Sequence, residues 1–366
     1  MLNPTFAEVK LKALSNNLRI VKKLTRGKAI LSVVKASAYG HGAVTVSKHL
    51  IKEGASALAV AFLNEAIELR DSGIKAPIVV LFDYENVSAV VRHRLIPVIY
   101  SISAARELSK EALKNNLQIP VHIEIDTGVG RVGFKPDEAV KKIIDINSLH
   151  GLRTEGIMSH FSDADLRDKI YAEEQLKIFK KIVRELKKIG IKFKFTHMAN
   201  SAAILSFPKS HLNMIRPGLM LYGYSPFDNN ERLMPALSLK SKILFLKRVS
   251  AGTPISYGRT FITARESLIA TIPIGYADGY SRSLSNQGEV LIRSKRAPVV
   301  GRVCMDLTMV DVTHLKEVNE GDEVVIIGKQ GNQTLSASEI ASKTGTITYE
   351  VLTSIGSRIP RVYIVS

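Results

Sequence analysis

Leu31-Ser32-Val33-Val34-Lys35-Ala36-Ser37-Ala38-Tyr39-Gly40-His41-Gly42 sets an apolar run, one lysine and a turn of small residues in succession. A run with no polar face fits a strand buried in a parallel sheet. The lysine at its end stands where the strand leaves the core and enters a loop. Burial disfavours the ammonium form and lowers its pKa, so such a lysine is costly unless it is paired or used. One that gives up its proton readily can form a Schiff base with a carbonyl cofactor. Taken alone, the stretch reads more simply as a lysine snorkelling at a strand end.

Working outward, short apolar runs alternate with amphipathic ones from Ile30 to about Gly223. The expected strands are 29–35, 57–62, 77–82, 96–100, 119–126, 154–160, 192–197 and 212–216. The clearest helix is Ile170–Lys188, where Leu176, Phe179, Val183 and Leu186 recur at helical spacing and Gly190 supplies a stop. Pro136-Asp137-Glu138 opens another, with proline first and acids in the first turn. Strands alternating with helices in this way predict an α/β chain that begins with a (β/α)8 TIM-type barrel. Past Pro235 the texture changes to strands joined by turns, at 237–249, 267–274, 289–293, 297–312 and 323–327, with a short helix at 336–343. The expected division is a barrel over 1–235, its first residues candidates to pack with the second domain, and a mostly β C-terminal domain over 236–366.

A length of 366 residues exceeds one ordinary core, which agrees with two domains. No apolar run approaches the ~20 residues of a membrane span. The start, Met1-Leu2-Asn3-Pro4-Thr5-Phe6, lacks a basic region followed by an apolar one, so a secretory leader is not expected. A single cysteine, Cys304, cannot build a disulfide framework or a cysteine metal cluster, and a reducing cytoplasm is the simple reading. No metal site is expected. The formal net charge of +17 raises the question of nucleic acid. The lysines, however, are spread along helix-like stretches such as Lys177–Lys181, and no nucleic-acid motif accompanies them. Such a charge still favours anionic small molecules.

In a barrel, functional side chains gather where strands end and loops begin. Along Val121-His122-Ile123-Glu124-Ile125-Asp126, period-two alternation turns His122, Glu124 and Asp126 toward the barrel interior. The glycine-rich loop that follows delivers Arg131, and pairing with Glu124 would hold its guanidinium ready for a carboxylate. Gly156-Ile157-Met158-Ser159 ends in His160, while Thr196-His197-Met198-Ala199 leads into Asn200 and Ser201. His197 reads as a hydrogen-bonded core histidine. Ser201 can cap the next helix or bind phosphate there. Arg216 stands at the last strand end, where Gly218 lets the backbone approach a ligand closely. In the second domain Tyr257 occupies a turn, Gly275–Tyr280 forms another functional loop, and Gly301–Asp306 interrupts a strand-like run.

Val34-Lys35-Ala36-Ser37-Ala38-Tyr39-Gly40-His41-Gly42 resembles the pyridoxal-phosphate lysine motif of alanine racemases. Asp126–Arg131, Ser159-His160-Phe161, Ala199-Asn200-Ser201, Ile215–Gly218, Ser256-Tyr257-Gly258, Gly275–Gly279, Cys304-Met305-Asp306 and Tyr349-Glu350 are similar to further family blocks, in family order. The resemblance implies pyridoxal 5'-phosphate held by Lys35 as an imine, with Lys35 acting as one base and Tyr257 as the opposite one. It makes Arg131 the carboxylate binder, His160 the partner of Tyr257, and Arg216 the group facing the pyridine nitrogen. Tyr39, Asn200, Ser201, Gly218, Leu219 and Tyr349 would hold the cofactor. Cys304, Met305 and Tyr276 would line the substrate pocket, and Glu124, Asp165, Arg302 and Asp306 would support it. It further implies a homodimer whose β domains serve each other's barrels, with alanine as substrate and D-alanine for cell-wall precursors as product. Two departures stand out: Ser37, where the family often has asparagine or aspartate, and Glu124, where well-known members carry a carbamylated lysine. A glutamate offers a carboxylate of similar reach without carbon dioxide, so Glu124 is expected to brace Arg131 directly.

The chemistry implied is inversion of a stereocentre, which needs a base on one face and an acid on the other. Tyrosine's ordinary pKa of about 10 leaves only ~0.1% phenolate at neutral pH, so neighbours such as His160 must lower the barrier. An arginine at ~3 Å from a protonated pyridinium would repel it by roughly 5 kcal/mol at an effective dielectric of ~20, which keeps the ring nitrogen unprotonated. Related decarboxylases place an acid there, so Arg216 argues against them. The alternatives are a racemase of broader or serine-directed specificity, and, less favoured, a basic amino acid decarboxylase. A non-catalytic pyridoxal carrier would need no second base.

Overall fold

The computed structural model describes residues 4–227 and 232–365; Met1-Leu2-Asn3, part of the start read for a leader, lies outside them. The described chain divides into two compact units. One takes Leu14–Ala38 and Ala43–Met234, and the other takes the segment up to Ala13, Tyr39–Gly42 and the chain from Pro235 onward. Strand β1 (Phe6–Lys10) belongs to the second unit.

The first unit is a closed barrel of parallel strands. In order they are β2 (Ala29–Val33), β3 (Ala57–Val60), β4 (Ile78–Val80), β5 (Ile96–Ile99), β6 (Ile119–Glu124), β7 (Leu152–Met158), β8 (Phe195–His197) and β9 (Met214–Ile215). Closure runs through Ala29 opposite Met214 and Ile30 opposite Ile215. Every residue of β3, β4 and β5 is buried, the burden of a sheet covered on both faces. All eight strands lie within or close to the expected runs, and most stop short of the expected C-terminal ends. The polar residues of interest therefore fall on the loops beyond, at one mouth of the barrel. The helix Ile170–Lys188 buries Ala172, Leu176, Phe179, Ile182 and Leu186 on one stripe, with Ile182 taking the place expected for Val183. Gly190, at φ +91°, follows its end.

The second unit adds β10 (Leu237–Lys242), β11 (Phe245–Val249), β12 (Pro254–Ile255), β13 (Phe261–Ile262), β14 (Ser267–Ile272) and β15 (Glu289–Ile292). It continues with β16 (Lys295–Pro298), β17 (Thr308–Asp311), β18 (Glu323–Gln330), β19 (Gln333–Leu335) and β20 (Arg361–Ile364). Its main sheet runs β16-β15-β18-β10-β1-β20, with β19 paired to β18; β11-β14-β17 form a second sheet and β12-β13 a hairpin. The first residues thus join this sheet, β1 lying antiparallel to β10 and parallel to β20. Two expected strands are each broken in two. The run 237–249 changes sheets at Ile243, whose N–H donates to the Asp322 carbonyl at 3.0 Å while its own carbonyl accepts from Gly321 at 2.8 Å. The run 297–312 opens into a loop between Pro298 and Thr308, where Gly301 at φ +76° passes so close to Ile255 that a Cβ would sit 2.6 Å from its carbonyl oxygen. The short helix spans Ala337–Thr344, capped by the Ser336 hydroxyl, which accepts from Glu339 N–H at 3.0 Å. No helix among the described residues is long and apolar enough to cross a membrane.

Candidate active site

Lys35 lies two residues past β2, and the chain then turns left-handed, with φ of 51°, 52°, 52° and 53° at Ala36, Ser37, Ala38 and Tyr39. Each L-residue in that region costs about 1–2 kcal/mol, so the surroundings must hold the turn in place. Glu65 ties it down: one carboxylate oxygen accepts from Ala36 N–H at 2.6 Å and the other from Ala61 N–H at 2.7 Å. Ala38 N–H donates to the Val34 carbonyl at 2.8 Å. The lysine amine is thereby set 5.5 Å from the centre of the Phe82 ring. Burial lowers its pKa, the positive charge of Arg131 lowers it further, and Glu65 opposes both.

Arg131 lies over the same ring, its guanidinium carbon 5.0 Å from the centroid. Its Nη2 stands 4.0 Å from Glu124 Oε1, an ion pair at a distance longer than a hydrogen bond. Glu124 is buried, and its Oε2 meets no hydrogen-bond partner among the described residues. Burial pushes its pKa up to about 7, against the pull of Arg216 and Arg131. Asp126 organises the loop: one oxygen accepts from Gly128, Val129 and Gly130 N–H at 3.0, 2.9 and 3.1 Å. That turn carries the chain toward Arg131.

Arg216 is buried and spends both terminal nitrogens on the barrel. Nη1 donates to His197 Nδ1 at 2.9 Å and to the His197 carbonyl at 3.0 Å. Nη2 donates to the Ser159 and Met198 carbonyls at 2.7 and 3.1 Å and to His160 Nδ1 at 3.1 Å. Its Nε–H has no acceptor among the described residues. Burial brings its pKa to about 10, still well above neutrality. Since an arginine only donates, the Nδ1 atoms of His160 and His197 accept, and each histidine carries its proton on Nε2. Burial and the Arg216 charge hold both histidines well below their usual range, hence neutral. His197 Nε2 then donates to His122 Nδ1 at 2.9 Å. His197 is the hydrogen-bonded core residue it was expected to be. Beside Arg216, Ser201 Oγ accepts from Gly218 N–H at 2.9 Å and Met220 N–H at 3.3 Å. Asn200 caps the helix Ser201–Ser206 by accepting from Ala203 N–H at 3.0 Å, and Leu219 opens a 3-10 turn. Asp165 is exposed in the loop between β7 and the helix Ile170–Lys188 and forms no ion pair among the described residues.

The second unit gathers its own set. Tyr257 is 71% exposed, in a turn that follows Ser256 at φ +64°. Ser256 Oγ donates to the Arg302 carbonyl at 2.6 Å and lies 3.5 Å from Cys304 Sγ. Tyr276 N–H donates to the Cys304 carbonyl at 3.0 Å, and Ala277 N–H to that of Met305 at 3.1 Å. Arg358 bridges two acids, Asp306 at 2.6 Å and the buried Asp278 at 2.8 Å. The three loops of Tyr257, Tyr276 and Met305 are thus tied together, and all three side chains are exposed. Elsewhere in this unit Tyr39 and Tyr349 face each other, ring centroids 5.9 Å apart. Burial raises the Tyr39 pKa, keeping it a neutral donor.

Reading residues alone missed Glu65 and Phe82. Glu65 also accepts from Phe62 N–H at 3.2 Å, and in sequence it is indistinguishable from any acid in a first helical turn. Phe82 ends an apolar run, and nothing local marks it as the surface under both Lys35 and Arg131.

The model of the alanine racemase N-terminal domain matches residues 9–226, and that of the C-terminal domain matches residues 236–363. An alanine racemase of Halothermothrix orenii is 47% identical over 366 residues, covering 98% of this chain and 97% of that protein. The structure of alanine racemase from Bacillus anthracis with bound L-Ala-P gives a TM-score of 0.92 at 38% identity, over 99% of this chain and 95% of that one. Alanine racemase from Bartonella henselae with covalently bound pyridoxal phosphate gives a TM-score of 0.89 at 30% identity, over 99% of each chain. With both domain models spanning most of its length and relatives this similar along the whole of it, the chain belongs to the alanine racemase family.

Proposed function

We propose that this chain is a pyridoxal-5'-phosphate-dependent alanine racemase that interconverts L- and D-alanine in the cytoplasm. The observation that carries the cofactor is the state of Arg216. Every N–H on its two terminal nitrogens is aimed at the barrel, and Nε–H alone is left without an acceptor among the described residues. An unprotonated ring nitrogen is the acceptor such a donor suits, and the charge beside it opposes protonation. Lys35, with its lowered pKa, sits at the same mouth with an amine suited to a carbonyl. The Ser201 hydroxyl and the Leu219 N–H are donors of the kind that hold a phosphate, beside Gly218, whose N–H is taken by Ser201 Oγ; Tyr39 and Tyr349 join them only as the family resemblance implies. When bound, pyridoxal phosphate supplies a carbonyl for the substrate amine and a conjugated ring that spreads charge from the α-carbon.

The chain's own residues then divide the work, with the barrel unit of 14–38 and 43–234 and the mostly β domain from Pro235 onward, joined by β1, taking separate parts. Arg131 receives the substrate carboxylate, steadied by Glu124. Lys35 Nζ moves a proton on one face of the α-carbon. The Tyr257 hydroxyl moves one on the other, assisted by His160, whose Nε2–H is a donor once Arg216 has taken Nδ1. Arg302, Cys304, Met305 and Asp306 shape the pocket with Tyr276, and Asp165 supports it from the barrel. Tyr257, Tyr276 and Met305 form an exposed, partly apolar surface of the kind that marks an interaction site. We therefore infer a homodimer in which each β domain completes the other subunit's barrel.

The test is incubation of purified protein with L-alanine or D-alanine in heavy water, followed by chirality and mass analysis. Both reactions should approach equal amounts of the enantiomers, with deuterium at Cα. Retained chirality without deuterium overturns the reading. Parallel incubations with L-serine and L-lysine, with carbon dioxide measured, separate it from a broader racemase and from a decarboxylase.

A further inference from the structure

The barrel is open at its other end as well. Where the strands begin, a cavity of about 1000 Å³ lies among Ala57, Ile96, Ile119, Phe195 and Met214, the first residues of β3, β5, β6, β8 and β9. A volume of this order accommodates a small organic molecule. Apolar walls here are joined to a basic rim. Arg70 builds one side of that rim by donating to four carbonyls: His93 at 2.9 Å, Ile74 and Ala76 at 2.7 Å, and Arg94 at 3.2 Å. This ties the loop before β4 to the loop before β5. It leaves Lys75, Arg92 and Arg94 at the cavity edge with no carboxylate within ion-pair distance among the described residues. On the opposite side Arg153 and Lys194 share Glu155, at 3.0 and 2.9 Å. Among the described residues the only other acid lining the cavity is Asp71, so the free charge is positive.

The floor supplies a directed donor. His122 is 1% exposed and lines the cavity. Its Nδ1 accepts from His197, so the file that starts at Arg216 puts the His122 proton on Nε2. That Nε2–H has no acceptor among the described residues. Burial brings the His122 pKa to about 4 despite Glu155, so the group stands as a neutral donor near pH 7.

We propose that this cavity is a second ligand site, distinct from the mouth that carries Lys35, and that it takes a heteroaromatic phosphate. The flat ring lies against the apolar walls and offers an acceptor to His122 Nε2–H, while the phosphate is met by Lys75, Arg92 and Arg94. The racemase reading is not needed for this inference, and the site uses none of the residues assigned to that chemistry.

The test is calorimetric titration of the holoenzyme, freed of unbound pyridoxal phosphate because that cofactor belongs to the same ligand class, with adenosine 5'-monophosphate as probe, and with adenosine and inorganic phosphate as comparators. Adenosine 5'-monophosphate should bind with a Kd below about 1 mM, each comparator at least tenfold more weakly. Arg92→Glu and Arg94→Glu should each raise the Kd at least tenfold, with circular dichroism and cofactor content unchanged. The imidazole N–H resonance of His122, assigned through His122→Gln, should shift on titration. No binding at millimolar probe, equal affinity for adenosine, or an unchanged Kd in both charge-reversed variants overturns the proposal.

Discussion

At the scale of single residues, Glu124 concentrates the most unusual energetics. Its carboxyl titrates near 7 in the folded chain against an ordinary value of 4.5, because burial outweighs two nearby arginines. Between those values the folded chain holds a proton that the unfolded chain has released, so stability falls as pH rises through this window. At about 1.4 kcal/mol per pKa unit the loss approaches ~3 kcal/mol. Glu124→Gln should therefore be the more stable protein at pH 8, with little difference at pH 4.5, as measured by urea unfolding at each pH. Function should move the other way. The ionised carboxylate pairs with Arg131, so the KM for alanine in the parent should rise several-fold from pH 8 to pH 6 and stay nearly flat in Glu124→Gln. Parallel pH profiles of KM in the two proteins would count against the pairing. Lys35→Ala should lose the visible band of bound cofactor together with all racemisation, as read by absorption spectra and chirality assay.

At the scale of elements, the left-handed turn after Lys35 is the most constrained segment. Its four residues are held against their own preference by Glu65 and the Val34 carbonyl. Ser37 is exposed at φ 52°, so Ser37→Gly relieves local strain and should stabilise by up to about 1 kcal/mol, while Ser37→Val should destabilise by a similar amount. Denaturant melts of the two variants check the sign. Gly40 is different in kind: at φ +80° a Cβ would lie 2.1 Å from the Leu352 carbonyl oxygen, so Gly40→Ala should cost more than about 2 kcal/mol. The amphipathic helix Ile170–Lys188 was readable from its period, β3 to β5 from continuous apolar runs, and β6 from its alternation. The left-handed turn was not. Alanine, serine and alanine have no preference for it, and it exists because Glu65, far along the chain, accepts its first N–H.

At the scale of the whole molecule, the exposed loops of Tyr257, Tyr276 and Met305 are the feature that an isolated chain leaves unexplained. If they dock on a second subunit, Met305→Glu should weaken self-association at least tenfold, measured by sedimentation at graded concentrations. Racemase activity per chain should then become dependent on protein concentration. Unchanged association would argue that this surface stays in water. The charge of +17 belongs to this scale too. Much of it is solvated on helices, as the spacing of the lysines indicated, but at the base of the barrel it is gathered around a cavity, which spacing did not reveal.

The sequence by itself determined the alternation that makes a barrel, the change of texture after Pro235, and the residue types gathered at strand ends. Those follow from local period and from side-chain chemistry, which a linear reading can see. Only the tertiary structure decided that Arg216 exhausts its terminal nitrogens on the barrel and keeps Nε–H in reserve, that Glu124 is buried enough to titrate near neutrality, and that two histidines join Arg216 to the far end of the barrel. It also decided where two long apolar runs break and change sheets. Hydrogen-bond direction, desolvation and strand partners are set by groups brought together from distant parts of the chain, and no local pattern encodes them.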